Sequence, residues 1–255
     1  MLLTSDIGNT SITLGVFDNE ALVEEFRLAS DKDLSLTEYE VLLKSLLKDF
    51  QIDGCIISSV VEELTAKFKT AVDNVSKINS IILSSDINTG IKIKIDNPKE
   101  AGADRIANAA CAYVLYSKPV IVVDIGTATT FDVVNSDGGF IGGLISLGIM
   151  SQMKALNKFT SKLPRADVSL SPLAIGHNTN DAILSGVIRG TAAMIDGMVE
   201  QCEKELGQKA TIVATGGYSG LIANYLKRPF DFINPTLTLE GLRYLYQINS
   251  IEANA

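Results

Sequence analysis

The chain has 255 residues, of which 46% are hydrophobic and 20% are charged. This composition is typical of a folded globular protein, and the length suits one large domain or two domains of about 100 to 150 residues. The net charge of -8, with 30 acidic and 22 basic residues, together with the lack of a dense run of Lys and Arg, argues against nucleic acid as a partner.

The cysteines and the N-terminus bear on the compartment. Cys55, Cys111 and Cys202 lie far apart in the sequence and form no CxxC pair, so neither a disulfide framework nor a zinc site is predicted. The N-terminal MLLTSDIG lacks the basic and apolar regions of a signal peptide, and the sequence has no unbroken run of 18 apolar residues. We therefore expect a cytoplasmic protein without a membrane partner.

The first half alternates strands and helices. Two strands joined by a tight turn are predicted at residues 2–7 and 11–18. A helix follows in SLTEYEVLLKSLLKDF, where Thr37 and Glu40 have the spacing of a capping box. GCIISSVV predicts a buried strand, EELTAKFKTAVDNV an amphipathic helix, and INSIILSS and IKIKI further strands. An alanine-rich helix is predicted after Pro98.

The second half begins after Pro119 with a meander of three strands. PVIVVDIG, TTFDVVN and GGFIGGLIS predict its three strands. Long helices follow, the second ending at Gly207 in the position of a C-cap. ATIVATGG and RPFDFIN predict two more strands, and TLTLEGLRYLYQIN a closing helix. No low-complexity linker separates the halves, so we predict two closely packed domains, 1–117 and 118–255.

One phrase occurs twice: Asp6-Ile7-Gly8 and Asp124-Ile125-Gly126 each follow an apolar strand. Aligning the two places Asn9-Thr10-Ser11 on Thr127-Ala128-Thr129. A sharp glycine turn offers N–H groups to phosphate, and an adjacent acid can hold a cation that screens the phosphate charge. A single copy equally fits a plain hairpin turn, whereas two copies in equivalent places favour phosphate binding. Neither GxxxxGK[ST] nor GxGxxG occurs.

These two units, with the late Thr215-Gly216-Gly217, resemble the duplicated fold of the acetate and sugar kinases, Hsp70 and actin. The resemblance implies an α/β, duplicated actin-like (ribonuclease H-like) fold of two domains with an ATP cleft between the halves. In that superfamily the late glycine pair lies against the adenosine of ATP.

The segment DNPKEAGADRIANA is more specific. Asp104 can accept a proton from a hydroxyl and Arg105 can clamp a carboxylate or phosphate, although the two residues alone favour a solvated ion pair at a helix start. The order of motifs along the chain resembles type III pantothenate kinase. The motifs are DIGNT, NPKEAGADR, VVDIGTATTFDVV, GGLISLGI, IGHNT, ATGGYS and LTLEGLRYLY.

The resemblance covers the whole chain and implies ATP-dependent phosphorylation of pantothenate to 4′-phosphopantothenate, the first step of coenzyme A biosynthesis. It implies a homodimer whose second subunit helps to close the pantothenate pocket. The implied ATP contacts are Asp6, Ile7, Gly8, Asn9, Thr10, Ser11, Ile12, Thr13 and Thr127. The implied substrate contacts are Gly102, Ala103, Asp104, Arg105 and Thr179, with Asp104 as general base. Asp6 would hold Mg²⁺, and Asp124 a monovalent cation, K⁺ or NH₄⁺.

Some positions depart from the family pattern, and alternatives remain. Ile95 stands where an aromatic residue is common, Ser146-Leu147 where Ala-Pro is common, and His177 where Lys is common. The residues around His177, Gly176 and Asn178, predict a helix-capping turn. A transcriptional accessory factor that has lost catalysis and a kinase for another small hydroxy acid are the alternatives. For the dimer, the long second-half helix offers an apolar face that we predict to be the subunit interface, formed by Ile183, Val187, Ala192 and Ile195.

Overall fold

The computed structural model describes residues 1–159 and 173–252. The chain divides into two compact units, Met1–Val114 together with the segment from Thr236 onward, and Leu115–Pro235. Each unit has its own sheet and its own hydrophobic core.

The first unit contains a five-stranded sheet in the order β3-β2-β1-β4-β5. The strands of this sheet are β1 Leu2–Ile7, β2 Ser11–Asp18, β3 Ala21–Ala29, β4 Gly54–Ser59 and β5 Ile81–Ile82. A short strand of the first unit, β6 Lys92–Ile93, lies outside this sheet. Its helices are α1 Leu36–Leu46, α2 Glu62–Ser76, α3 Ala103–Leu115 and α8 Leu237–Glu252, with a 3-10 turn at Pro98–Glu100. β1, β2 and β3 are antiparallel neighbours, whereas β4 and β5 run parallel to β1.

The second unit repeats this winding, with its strands in the order β9-β8-β7-β10-β11. They are β7 Val120–Ile125, β8 Ala128–Val134, β9 Gly139–Leu147, β10 Thr211–Thr215 and β11 Phe232–Ile233. The helices are α4 Ile149–Phe159, α5 Thr179–Leu184, α6 Gly190–Leu206 and α7 Ser219–Ala223. Here too β7, β8 and β9 form an antiparallel meander, and β10 and β11 are parallel to β7. The predicted duplicated α/β fold is confirmed.

The start of α1 differs from the prediction. The capping box is formed by Ser35 and Glu38, not by Thr37 and Glu40. Both pairs have the required spacing, and the N-cap at Ser35 starts a helix whose buried residues are Tyr39 and Leu43. The cap at Ser35 also brings Leu36 into the first turn, where it packs against the same cluster as Tyr39 and Leu43, so burial at the helix start favours Ser35.

A continuous 28-residue helix runs from Thr179 to Leu206, with a π turn at Ser185–Arg189 between α5 and α6. Its length and composition alone would allow it to cross a membrane, and 44% of its apolar window is buried inside the protein. A core helix of a globular protein shows the same pattern. Gly207 caps its end in the left-handed conformation, as predicted.

The predicted subunit face on this helix is wrong. Its four apolar residues are at most 8% exposed and belong to the core of the second unit. They are Ile183, Val187, Ala192 and Ile195. They pack beside sheet residues such as Ile121 and Val123, because this face of β7 is apolar and needs a covering helix. They are therefore not available to a second subunit.

The closing helix α8 lies in the first unit, which differs from the predicted division into 1–117 and 118–255. It packs on β1, β2 and β4 and buries Leu242 and Leu245 in one cluster with Ile106 of α3. A side chain at Gly241 would collide with the carbonyl oxygen of Ala107, so the two helices touch through their backbones. The chain returns to the first unit because α8 covers an apolar surface formed by α3 and the sheet.

Candidate active site

The first turn, residues 8–11, joins β1 to β2. Its backbone closes with a hydrogen bond from the Gly8 N–H to the Ser11 carbonyl oxygen, 3.0 Å. Asn9 and Thr10 are exposed, whereas the side chains of Ile7 and Ile12 are fully buried in the core. Of the predicted ATP contacts, Ile7 and Ile12 can therefore offer a ligand only their main chain.

Asp6 lies opposite Ser58 in the parallel pair of β1 and β4. The Ser58 hydroxyl donates a hydrogen bond of 2.8 Å to Asp6 Oδ1, and Ser58 itself is fully buried. A buried hydroxyl with one fixed acceptor holds that carboxylate in one orientation. Thr13 is the neighbour of Asp6 on β2.

The second turn joins β7 to β8 and is one residue shorter. Ile125 pairs with Thr129, which leaves residues 126–128 in the turn, and Gly126 N–H donates to the Ala128 carbonyl oxygen at 2.9 Å. In the first unit Ile7 pairs with Ile12. The predicted alignment of Ser11 with Thr129 is therefore shifted by one residue.

Thr127 is exposed at the tip of this turn, and its carbonyl oxygen is held from two sides. The Gly148 N–H donates to it at 3.1 Å and the Ser151 hydroxyl at 2.7 Å. Gly148 lies so close that a side chain there would collide with the backbone oxygens of Gly126 and Thr127. The start of α4 thus fixes the second turn.

Asp124 lies next to the late glycines. It is the neighbour of Thr215 on β10, and a side chain at Gly216 would collide with Asp124 Oδ1. Gly216 has φ +84°, which a residue with a side chain rarely adopts. The structure therefore brings Asp124 together with Thr215-Gly216-Gly217, two motifs that the sequence presents separately.

Asp104 lies in the first turn of α3. Burial raises the pKa of its carboxyl group, while the Arg105 N–H, at 2.8 Å from Asp104 Oδ1, and the Arg105 charge act in the opposite direction. A side chain at Gly102 would come within 2.6 Å of Asp104 Oδ1. Ala103 is buried in the core, so a ligand could reach only its main chain.

Asp6 and the start of α3 lie on the same face of the first sheet. Ser5 and Ile7 alternate with Asp6 along β1, and Ile7 belongs to the cluster formed with α1 and α2. Asp6 therefore points to the opposite face, where Ile56 of β4 packs with Ala103 of α3. Asp6 also lies near the carboxyl end of β1, which runs parallel to β4, and this is the edge where α/β sheets bind ligands.

Thr179 is the first residue of α5 and is exposed. Asn178 caps this helix by accepting a hydrogen bond from the Asp181 N–H at 3.0 Å, as the sequence around His177 predicts. Thr179 belongs to the second unit, whereas the other four predicted substrate contacts belong to the first.

Asp6 and Asp124 are the candidates for holding cations. A carboxylate offers about four lone-pair sites, and hard oxygen ligands suit Mg²⁺. Asp124 Oδ1 lies against the backbones of Gly216 and Gly126, a setting in which carbonyl oxygens can add to a carboxylate. Within residues 1–159 and 173–252, no group of three His, Cys, Asp or Glu side chains is gathered to hold a metal ion.

Four residues that fix these turns were not predicted. They are Ser30, Ser58, Gly148 and Ser151. Ser30 and Gly148 carry a signal that the sequence could have given, because each directly follows the third strand of its meander. The role of Ser58 could be predicted only if the pairing of β4 with β1 were known.

Solved structures share this architecture. A protein from Campylobacter jejuni, named as a conserved Baf family transcriptional activator, is 24% identical with a TM-score of 0.63 and covers 97% of this chain and 98% of its own. A ROK family glucokinase from Streptomyces griseus, in complex with glucose and AMPPNP, is 14% identical with a TM-score of 0.58, covering 96% and 99%. At these identities the likeness shows the fold alone, a two-domain actin-like α/β fold.

Curated relatives cover nearly the whole chain. A type III pantothenate kinase of Dehalococcoides mccartyi (strain CBDB1) is 43% identical over 255 residues, covering 98% of this chain and 97% of the relative. That of Roseiflexus sp. (strain RS-1) is 41% identical over 254 residues, covering 98% and 99%. The family model described as type III pantothenate kinase matches residues 2–201, which include both turns and the start of α3. The chain therefore belongs to the type III pantothenate kinase family.

Proposed function

We propose that this protein transfers the γ-phosphoryl group of ATP to the primary hydroxyl of pantothenate, giving 4′-phosphopantothenate in the first step of coenzyme A biosynthesis. One observation carries the proposal: the family match over residues 2–201 contains both Asp-Ile-Gly turns and the Gly102–Arg105 segment in order. Phosphoryl transfer needs mainly positioning and charge neutralisation, which suits a site built from turns.

ATP is bound by the two turns in this proposal. Residues 6–13 and Thr127 supply N–H groups and hydroxyls, because glycine turns let the backbone approach phosphate oxygens closely. Asp6, oriented by Ser58, holds a divalent cation, which we propose is Mg²⁺. When bound, that ion neutralises negative charge on the phosphates.

Asp104 acts as the general base. Burial raises the pKa of its carboxyl group, which makes the ionised form a better proton acceptor than an ordinary aspartate. It takes the proton of the attacking hydroxyl at Oδ1 or Oδ2. Arg105 binds the carboxylate of pantothenate, since a guanidinium matches a carboxylate through two hydrogen bonds.

The remaining assignments are also proposals. Asp124 binds K⁺ or NH₄⁺ beside the phosphates, and its closeness to Gly216 and Gly126 supports this role. The enzyme works as a cytoplasmic homodimer, in which Thr179 contacts pantothenate bound to the other subunit. The exposure of Thr179 at the start of α5 is compatible with this role. We propose that neither nucleic acid nor a membrane is a partner.

A coupled assay of ADP release tests the function. Purified protein with ATP, Mg²⁺ and K⁺ should release ADP with pantothenate and not with a panel of other small hydroxy acids. Release with a different acid would assign another substrate. A protein that binds ATP but phosphorylates no acid would favour the transcriptional accessory role.

A further inference from the structure

Ser30 lies directly after β3, beside the first turn. It makes two hydrogen bonds to that turn: its hydroxyl donates to the Gly8 carbonyl oxygen at 2.5 Å, and its N–H donates to the Thr10 carbonyl oxygen at 3.2 Å. Ser30 is half-buried. One residue therefore holds two carbonyl groups of a turn that has only four residues.

These two bonds determine where two N–H groups of the turn, those of Asn9 and Ser11, point. In a trans peptide the carbonyl oxygen and the following N–H lie on opposite sides of the chain. Because the carbonyls of Gly8 and Thr10 point to Ser30, the N–H groups of Asn9 and Ser11 point away from it. Asn9 and Thr10 are exposed, so an anion can approach this side of the turn.

The Gly8 N–H has a different task, because it closes the turn on the Ser11 carbonyl oxygen at 3.0 Å. Of the other three N–H groups of the turn, those of Asn9 and Ser11 have directions that depend on Ser30. A set of N–H groups directed before the ligand arrives is worth more than one that must be ordered on binding. The hydroxyl is the component that a single substitution can remove.

We infer that Ser30 is a positioning residue for ATP: it sets the peptide planes of residues 8–11 so that the turn is ready to accept a phosphate. This inference rests on the proposed function, since it names the residue that prepares the proposed ATP turn. Ser30 acts through the turn and does not itself contact the nucleotide.

The test is nucleotide binding by Ser30→Ala, measured calorimetrically with AMPPNP and Mg²⁺. We expect affinity to fall about tenfold, the effect of losing one well-placed hydrogen bond. In turnover assays the KM for ATP should rise while the KM for pantothenate stays unchanged. Ser30→Thr, which keeps the hydroxyl, should restore binding.

Ser80→Ala is the matched control. Ser80 is buried in the same unit, and its hydroxyl donates to Asp73 Oδ1 at 2.6 Å. Its loss should lower stability without changing nucleotide affinity. Wild-type affinity in Ser30→Ala, an equal rise in the KM for pantothenate, or the same affinity loss in Ser80→Ala would each overturn the inference.

The same measurements separate this inference from the proposed function. A wild-type protein that binds AMPPNP without phosphorylating pantothenate would refute the substrate, while the binding comparison would still decide the role of Ser30. A wild-type protein that binds no nucleotide would overturn both.

Discussion

The two Asp-Ile-Gly turns occupy equivalent places in two identically wound sheets, yet they are held by different means. The first turn has four residues and is fixed by hydroxyls: Ser30 holds two of its carbonyls and Ser58 orients its acid. The second has three residues and is fixed by close backbone contact at Gly148, with Ser151 adding one bond.

This comparison shows that two units can share the same strand order and the same position of the aspartate while different residues fix the turn. The first turn should be sensitive to the removal of a hydroxyl, because its supports are side chains. The second should be sensitive to the addition of a side chain, because its supports need empty space at Gly148 and Gly216. The following experiments test whether the two units divide the work in this way.

The largest effect is expected from Asp104→Asn, which tests whether a residue of the first unit accepts the proton of the attacking hydroxyl. The amide keeps the size of the side chain but cannot accept the proton, so kcat should fall by about 10² or more while ATP still binds. Steady-state kinetics with AMPPNP binding measure both. Near-normal kcat would remove Asp104 as the base.

The pH profile of the wild-type enzyme also tests whether Asp104 is the general base. Because burial raises the pKa of Asp104, the acidic limb of kcat should lie above the ordinary range of an aspartate, since the base works only when ionised. Arg105→Ala is the comparison variant: it should raise the KM for pantothenate and move this limb to still higher pH, because the Arg105 charge lowers the pKa of Asp104.

The next largest effect is expected from Gly148→Ala, compared with Gly8→Ala. At Gly148 the added methyl would collide with backbone oxygens, whereas at Gly8 it would be 3.2 Å from one oxygen of Ser11. We expect Gly148→Ala to lower the free energy of unfolding by about 2–3 kcal/mol, and Gly8→Ala by clearly less. Chemical denaturation measures both, and equal losses would contradict the comparison.

A smaller effect is expected from Asp124→Asn on the response to monovalent cations. The wild-type enzyme should be about tenfold more active in K⁺ than in Na⁺ at equal ionic strength, the size of one charged contact. The variant should lose this preference because the amide carries no charge. A preference retained in Asp124→Asn, or lost equally in Asp6→Asn, would remove the cation site from the second unit.

The smallest effect is expected from Glu203→Gln, which tests the second unit away from its turn. Burial alone would raise the pKa of Glu203, but hydrogen bonds from Lys209, the Ala210 N–H and Arg228 lower it overall. The carboxylate therefore stabilises the fold above the pKa of the unfolded chain, and this contribution is lost as the pH falls through the folded pKa.

We expect Glu203→Gln to cost about 1 kcal/mol near pH 7, because both partner cations reach solvent and are screened. The difference from the wild type should close as the pH falls into the acidic range. Urea denaturation across pH measures it, and a difference that does not change with pH would contradict the assignment. Turnover should be unchanged.

Much of the fold could be predicted because its signals are local. The strands at residues 2–7 and 11–18, the C-cap at Gly207 and the cap at Asn178 all follow from short patterns. The acids of the two turns were found in the same way, because each follows an apolar strand. The residues that contact these acids, Ser58 and Gly216, were harder to find, because they come close to the acids only when the parallel strands pair.

Other features depend on packing that one sequence does not display. The capping box at Ser35 competes with an equally spaced pair two residues later, and burial decides between them. The apolar stripe around Ile183 and Val187 fits a subunit interface and an internal core equally well as a pattern. The extra residue in the first turn becomes visible only from the register of β1 and β2.

The return of α8 to the first unit has a consequence for synthesis. The ribosome delivers α8 after every strand and helix of the second unit, so the unit that begins the chain is the last to be completed. Until then the apolar faces of β1, β4 and α3 that α8 covers remain without it, a state in which chains aggregate. The second unit, being one continuous stretch, can finish folding while the first still waits for its final helix.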